Sequence, residues 1–243
     1  EYNFAADEIL LSHPAAFLDA MTSINRKWEN WFELQTERRK KWVEDWENHL
    51  MKEEIEDSKS NRKMHPLQLG VDIISEMNDE DWLVFDGGNT HFWNEIAVNI
   101  SGWRGKKLGG IMHPGNYSLL GVGISFGISA KAACPDKNVV VISGDGAFLS
   151  GGLSIESAFQ EGLPIIVVID NNGGLDCISQ QQERLFANGQ HYATDFRDIP
   201  FHTMFEGLGG YGELVTTRSE LKPALARAIK SGKTACLNVK CRG

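Results

Sequence analysis

Nowhere does the 243-residue sequence hold an apolar run of the roughly 18–20 residues that cross a bilayer. Its start, Glu1-Tyr2-Asn3-Phe4, lacks the basic-then-apolar order of a secretory signal. No membrane is expected, and a soluble cytoplasmic protein is. Basic excess is missing too: the formal net charge is −9, and Lys and Arg cluster only inside one charged segment. A surface that neutralises nucleic-acid phosphates needs such clusters elsewhere, so no nucleic-acid partner is expected. Cys134, Cys177, Cys236 and Cys241 show no C-x-x-C spacing and no histidines at zinc-finger intervals. Neither a disulfide frame nor a structural zinc is indicated, and four free thiols fit a reducing compartment. Internal repeats are also lacking.

With 42% apolar residues the chain has enough material for a real core. Residues 1–21 hold Ile9-Leu10-Leu11 and then Pro14-Ala15-Ala16-Phe17-Leu18, which reads as a last strand and a helix start. So short a piece cannot bury its own faces, and it reads as the tail of a preceding domain. Residues 22–64 form a densely charged segment in which Trp28, Trp31, Trp42 and Trp46 recur at helical steps. The spacing predicts a long amphipathic linker helix packed through its tryptophans. An aromatic and basic stripe is the weaker alternative, because Glu and Asp neutralise the same face.

His65-Pro66 stops that helix, and a domain over 65–243 begins. Leu67–Met77 reads as a helix, Trp82–Phe85 as a strand, Leu119–Ala133 as a Gly- and Ala-rich helix and Leu153–Glu161 as another. Strands are expected over Val139–Ile142, Ile165–Ile169 and Ala235–Lys240, with Val215 and a helix over Leu221–Lys230 completing the order. Alternating strands and helices predict an α/β fold, a parallel sheet with helices on both faces. Ligands of such sheets sit at the carboxyl ends of the strands.

Two of these strands end in small or oxygen-bearing residues. One breaks into Gly144-Asp145-Gly146-Ala147-Phe148 and the next into Asn171-Asn172-Gly173-Gly174. A tight glycine turn lets backbone N–H groups close on a phosphate, while Asp145 and an asparagine amide oxygen offer hard ligands of the kind Mg²⁺ requires. The expected cargo is a diphosphate with a metal. Two ordinary turns would use similar residues, and the residues alone leave Asn171 and Asn172 as alternatives. Gly121-Val122-Gly123-Ile124-Ser125-Phe126-Gly127 imitates a dinucleotide fingerprint. Its G-x-G-x-x-x-G spacing follows no strand directly, so close helix packing is the better reading than a nicotinamide site.

GDG followed, about two dozen residues later, by NN at the end of the next strand resembles the signature of thiamine diphosphate (ThDP) enzymes. The order of pieces resembles their acetolactate synthase, oxalyl-CoA decarboxylase and 2-hydroxyacyl-CoA lyase group, over the carboxyl-terminal diphosphate-binding domain only. The resemblance implies that Mg²⁺ is held by Asp145, Asn172 and the main-chain carbonyl of Gly174. It implies cofactor contacts from Gly88, Asn89 and Thr90 in a strand-end loop, from Ser118 and Leu120, from Gly144, Asp145, Gly146 and Ala147, and from Asn172, Gly174 and Leu175. Leu120 falls where the group places an apolar wedge that bends the cofactor, unless it is a plain core residue. The polar stretch Leu175–Ala193 matches an active-site cover or else a surface loop. His113, beside the cofactor segment, is a candidate for proton transfer at neutral pH.

In the resembled group the activating glutamate lies in a pyrimidine-binding domain that has no counterpart in this sequence. The resemblance therefore implies a partner: a second polypeptide or an amino-terminal half that carries that domain, in a dimer of halves or a tetramer. The implied activity is cleavage or formation of a C–C bond next to a carbonyl, in a 2-oxo acid or an acyl-CoA substrate, with the cofactor as electron sink. A cofactor-binding scaffold without turnover is the alternative.

Overall fold

A computed structural model describes residues 11–22, 30–60, 63–186 and 188–242. The expected strand at Ile9-Leu10 and the residue Trp28 lie outside the described residues. The chain divides into two compact units, 1–42 and 43–243. In the first, α1 (Pro14–Met21) starts at Pro14, whose missing N–H costs nothing at a helix start, and His13 caps it by accepting from Ala15 N–H at 3.3 Å. The long helix α2 (Trp31–Ser60) runs through the unit boundary.

The second unit begins inside the segment expected as a linker. Val43 and Leu50 of α2 are buried, and Trp46 meets Trp93 edge-to-face at 6.1 Å. Glu47 accepts from Arg104 Nε at 2.9 Å, Glu54 pairs with Arg218 at 2.8 Å, and Glu53 pairs with Arg242. The latter part of the charged helix is thus part of the domain that follows it. Trp46 supports the expectation of packing through tryptophan, whereas Trp42 and Trp31 are exposed.

Six strands form one parallel sheet in the order β2-β1-β3-β4-β6-β5: β1 (Trp82–Phe85), β2 (Gly110–Met112), β3 (Val139–Gly144), β4 (Ile166–Asn171), β5 (Tyr211–Val215) and β6 (Ala235–Lys240). Around it stand α3 (Pro66–Glu76), α4 (Asn89–Trp103), α5 (Gly123–Ala133), α6 (Asp145–Gly151), α7 (Ile155–Gln160), α8 (Asp176–Leu185), α9 (Phe201–Gly207) and α10 (Arg218–Ser231). Because strand side chains alternate, Val140, Ile142, Val168, Leu237 and Val239 pack on one face with residues of α3, α4 and α10. Val139, Val141, Val167, Ile169 and Cys236 pack on the other with residues of α5, α7 and α9. Both faces are therefore dry, which is why the central strands read as unbroken apolar runs.

Local signals set several boundaries. His65 accepts from Leu67 N–H at 3.1 Å ahead of Pro66, starting α3, and the Thr217/Glu220 capping box starts α10. The glycine-rich helix begins at Gly123 rather than at Leu119. Asp86 accounts for the difference: its carboxylate accepts from Gly121 N–H at 2.9 Å and Gly123 N–H at 3.2 Å, holding the preceding residues out of the helix. A Cβ at Gly127 would lie 2.4 Å from Val141 Cγ2, so this glycine serves the close approach of α5 to β3. The dinucleotide imitation is thereby explained by packing.

Candidate functional site

From β1 the chain crosses to β2 on one side and later to β3 on the other, so the strand order reverses between β1 and β3. Parallel sheets open a crevice at the carboxyl ends there. A cleft of about 280 Å³ occupies that place. Its wall comes from the ends of β1, β3 and β4, the segment before α5 and the first turn of α8.

Gly88, Asn89, Ser118, Leu120, Gly144, Asp145, Gly146, Ala147, Asn172, Gly174 and Leu175 all line it, although they come from four separate stretches of chain. Two expected site residues stand elsewhere. Thr90 is buried outside the lining, its Oγ1 3.4 Å from Asp170 Oδ2. His113 lies stacked on Phe85, ring centroids 5.0 Å apart, and its Nδ1 accepts from Gly115 N–H at 3.2 Å. Asn89 and Thr90 are also the first residues of α4 and not a strand-end loop, so the N–H groups of a helix start face this end of the sheet. Of the stretch read as a polar cover, Asp176–Leu185 is α8, and its Asp176, Cys177 and Ile178 add to the wall.

Two backbone conformations at the cleft are uncommon. Gly88 has φ +77°, open to glycine, and its N–H donates to Ser118 Oγ at 2.9 Å. Ser118 itself is left-handed at φ +46°, a strained position for a residue with a side chain. Beneath both lies Asp86, fully buried, which also accepts from Gly87 N–H at 2.9 Å and from the Ser143 hydroxyl at 3.1 Å. One carboxylate thus ties the β1 loop, the segment carrying Leu120 and the end of β3 together. An aspartate between a strand end and two glycines was the only trace of it in the sequence.

The two asparagines are separated by the strand's alternation. Asn171 is buried and donates from Nδ2 to Asn238 Oδ1 at 2.8 Å, behind the cleft. Asn172 faces the cleft, its Oδ1 accepting from Gly174 N–H at 3.1 Å. Asp145 accepts at Oδ1 from Gly146 N–H at 2.7 Å and at Oδ2 from Gly173 and Gly174 N–H at 2.7 and 3.1 Å. Of about four lone-pair directions on a carboxylate, one stays free.

Electrostatically this corner is short of positive charge. Burial pushes the Asp145 carboxyl up, and the N–H groups of Gly173, Gly146 and Gly174 and the Lys240 charge hold it back. Asp170 is pushed up to about 7, first by burial and then by the Asp145 and Asp176 charges, with the Cys241 thiol and Thr90 opposing. Its Oδ1 is buried without a hydrogen-bond partner. Among the described residues no ion pair neutralises Asp145 or Asp170. A buried carboxylate, an amide oxygen beside it and an unneutralised acid behind form a donor set that suits a hard divalent cation with oxygen ligands.

The sequence model of a family described as thiamine pyrophosphate enzyme, C-terminal TPP binding domain, matches residues 87–239. A probable acetolactate synthase of Mycobacterium bovis is 29% identical over 177 residues, covering 72% of this chain and 31% of that protein. A 2-hydroxyacyl-CoA lyase of Oryza sativa is 30% identical over 181 residues, covering 72% of this chain and 30% of that protein. Among solved structures, the thiamine diphosphate-dependent 4-hydroxybenzoylformate decarboxylase of Rhodococcus jostii shares the fold, with a TM-score of 0.62 and 24% identity over 74% of this chain and 33% of that one. The chain spans roughly three-tenths of the length of the curated relatives.

Proposed function

Since the chain belongs to the thiamine pyrophosphate enzymes, as their C-terminal TPP binding domain, we propose that it is the diphosphate- and Mg²⁺-holding component of an enzyme that cleaves or forms a C–C bond next to a carbonyl. Its substrate is a 2-oxo acid or a 2-hydroxyacyl-CoA. The observation that carries this reading is the pair Asp145 and Asn172, at adjacent strand ends in one cleft, with no ion pair to the buried acid among the described residues. Asp145, Asn172 and the Gly174 carbonyl would hold Mg²⁺, and the starts of α4 and α8 with the Gly88 turn would receive the diphosphate. When bound, ThDP supplies the electron sink for the C–C bond chemistry. Leu120, apolar and in the cleft wall, would be the wedge against which the cofactor rests. Leu175 and the first turn of α8 would shield it from water.

The reading includes a partner with the pyrimidine-binding domain and the activating glutamate, assembled with this chain in the cytoplasm as a dimer of halves or a tetramer. What supports it is that the matched family model is that of a C-terminal TPP binding domain, over residues 87–239. Among the described residues no helix is long and apolar enough to cross a membrane.

Native mass spectrometry of the complex as purified tests the proposal. A stoichiometric second polypeptide, with ThDP and Mg²⁺ retained, is expected, and C–C bond cleavage should need both chains. An assembled complex that takes up no ThDP when supplied with cofactor and Mg²⁺ overturns it.

A further inference from the structure

Outside the cleft lining, the end of β2 and the first turns of α4 bring two imidazoles and a carboxylate to one point. His91 Nε2 lies 2.9 Å from Glu95 Oε1, four residues on along α4. His113 arrives from the sheet edge, its ring centroid 4.9 Å from that of His91. One donor atom from each of the three falls within 4.8 Å of the others. The rings are held by a common neighbour: His113 lies flat on the buried Phe85 with 5° between the planes, and His91 is tilted against the same ring at 5.5 Å. Among the described residues no lysine or arginine pairs with any of the three.

A histidine and a glutamate one turn apart are a common helix pair and need no ion. The third group changes the chemistry, because it brings a donor from a second element to the same point and makes three donors within reach of one ion. A borderline divalent cation satisfies all three at once: two nitrogens and one carboxylate oxygen are a ligand set of Zn²⁺, with a fourth position left for water. Imidazole is a poor choice for Mg²⁺, which keeps this point chemically distinct from the Asp145 corner.

We propose that His91, Glu95 and His113 form a second cation site, for Zn²⁺ or a similar first-row ion, which ties the segment after β2 to α4. Metal–ligand bonds of about 2.0–2.2 Å draw the donors closer than they now lie, and Glu95 and His113 are exposed enough to move. A metal on His113 Nε2 places the ring proton on Nδ1, so the bond from Gly115 N–H gives way and that N–H turns to water. The strand β2 pairs with β1 alone, over three residues, and the chain after it runs on to Ser118 and Leu120. An ion here would steady the wall of the cleft from outside.

The test uses the full chain, stripped with EDTA and titrated with ZnCl₂ by calorimetry, and separately with Co²⁺ followed through its visible d–d bands. His113→Phe keeps a ring over Phe85 and removes the ligand, Glu95→Gln removes the charge, and matched far-UV spectra establish that both variants fold. One saturable equivalent of Zn²⁺ is expected, surviving Asp145→Ala and weakened by about tenfold or more in each of the two variants. Zinc binding that persists in His113→Phe, that disappears in Asp145→Ala, or that the parent lacks overturns the proposal. Because the readout is zinc and not ThDP, its failure leaves the Mg²⁺ and cofactor reading standing.

Discussion

Asp72 and Asp145 are similarly buried, at 6% and 2% exposed, yet the molecule treats them in opposite ways. Asp72 on α3 accepts from Gln68 Nε2 at 2.9 Å and takes the Arg218 guanidinium with both oxygens, at 2.6 and 3.1 Å. Arg218 in turn reaches Glu54, so α2, α3 and α10 are joined through one paired acid. At the cleft, Asp145 has backbone N–H groups but, among the described residues, no ion pair, and Asp170 behind it has an unsatisfied oxygen. A buried acid with its own guanidinium reads as architecture. One left short of positive charge reads as a place where a cation belongs.

Exchanging the two roles by mutation is the strongest way to break that contrast. Asp145→Ala in the assembled complex should lower Mg²⁺-dependent ThDP affinity by more than about a hundredfold, beyond the cost of losing an outer-shell partner, with the thermal midpoint little changed. Equal ThDP binding by calorimetry would falsify the metal assignment. Arg218→Ala should do the reverse. It should cost about 1.5–3 kcal/mol in urea unfolding, the scale of hydrogen bonds to a charged group, and leave ThDP affinity alone; a fall in affinity instead would mean that the α3–α10 layer is not separate from the site.

Acidity sharpens the comparison further. With the Asp170 carboxyl at about 7 in the folded chain and near 3.9 when unfolded, the folded state takes up a proton that the unfolded state has released. The metal-free chain should gain stability as pH falls from about 8 to about 5, and lose it as pH rises through the folded value. Asp145, shifted in the same direction, adds to the trend. Scanning calorimetry in EDTA should show the midpoint rising on acidification, less so in Asp170→Asn; parallel curves for the two proteins would remove Asp170 as the cause. The smallest change in affinity belongs to the apolar wall. Leu120→Ala should bind ThDP nearly as the parent does and turn over more slowly once assembled, and unchanged turnover would take Leu120 out of the site.

The central strands were legible because burial on both faces demands unbroken β-branched runs, as in Val139–Ile142 and Ile166–Ile169. Strand β2 was not: Gly110-Ile111-Met112 is a three-residue edge with a single neighbour. Helix α4 escaped because Asn89-Thr90-His91 reads as turn chemistry, and the tight turn at Gly88 does precede it. Helix α9 was hidden by brevity, since Phe201–Gly207 is too short to show a period. The strand-end glycines and Asp145 were legible in the residues, whereas Asn89, Ser118, Leu120, Leu175 and the choice of Asn172 came only from the family resemblance. His113 was placed there by its nearness to the cofactor segment and Thr90 by its correspondence to a loop of the resembled group, and neither fixes which way a side chain faces.

The sequence by itself determined the alternating β/α order and the chemistry available at two strand ends, because burial and turn formation restrict residue types locally. Only the tertiary structure decided that Asn172 and not Asn171 meets the cleft, that Asp86 clasps three loops, and that Asp72 has an ion pair while Asp145, among the described residues, has none. The reason is that neutralising a charge and satisfying a carboxylate depend on groups from distant parts of the chain, and only the packing of the sheet and its helices brings them within reach.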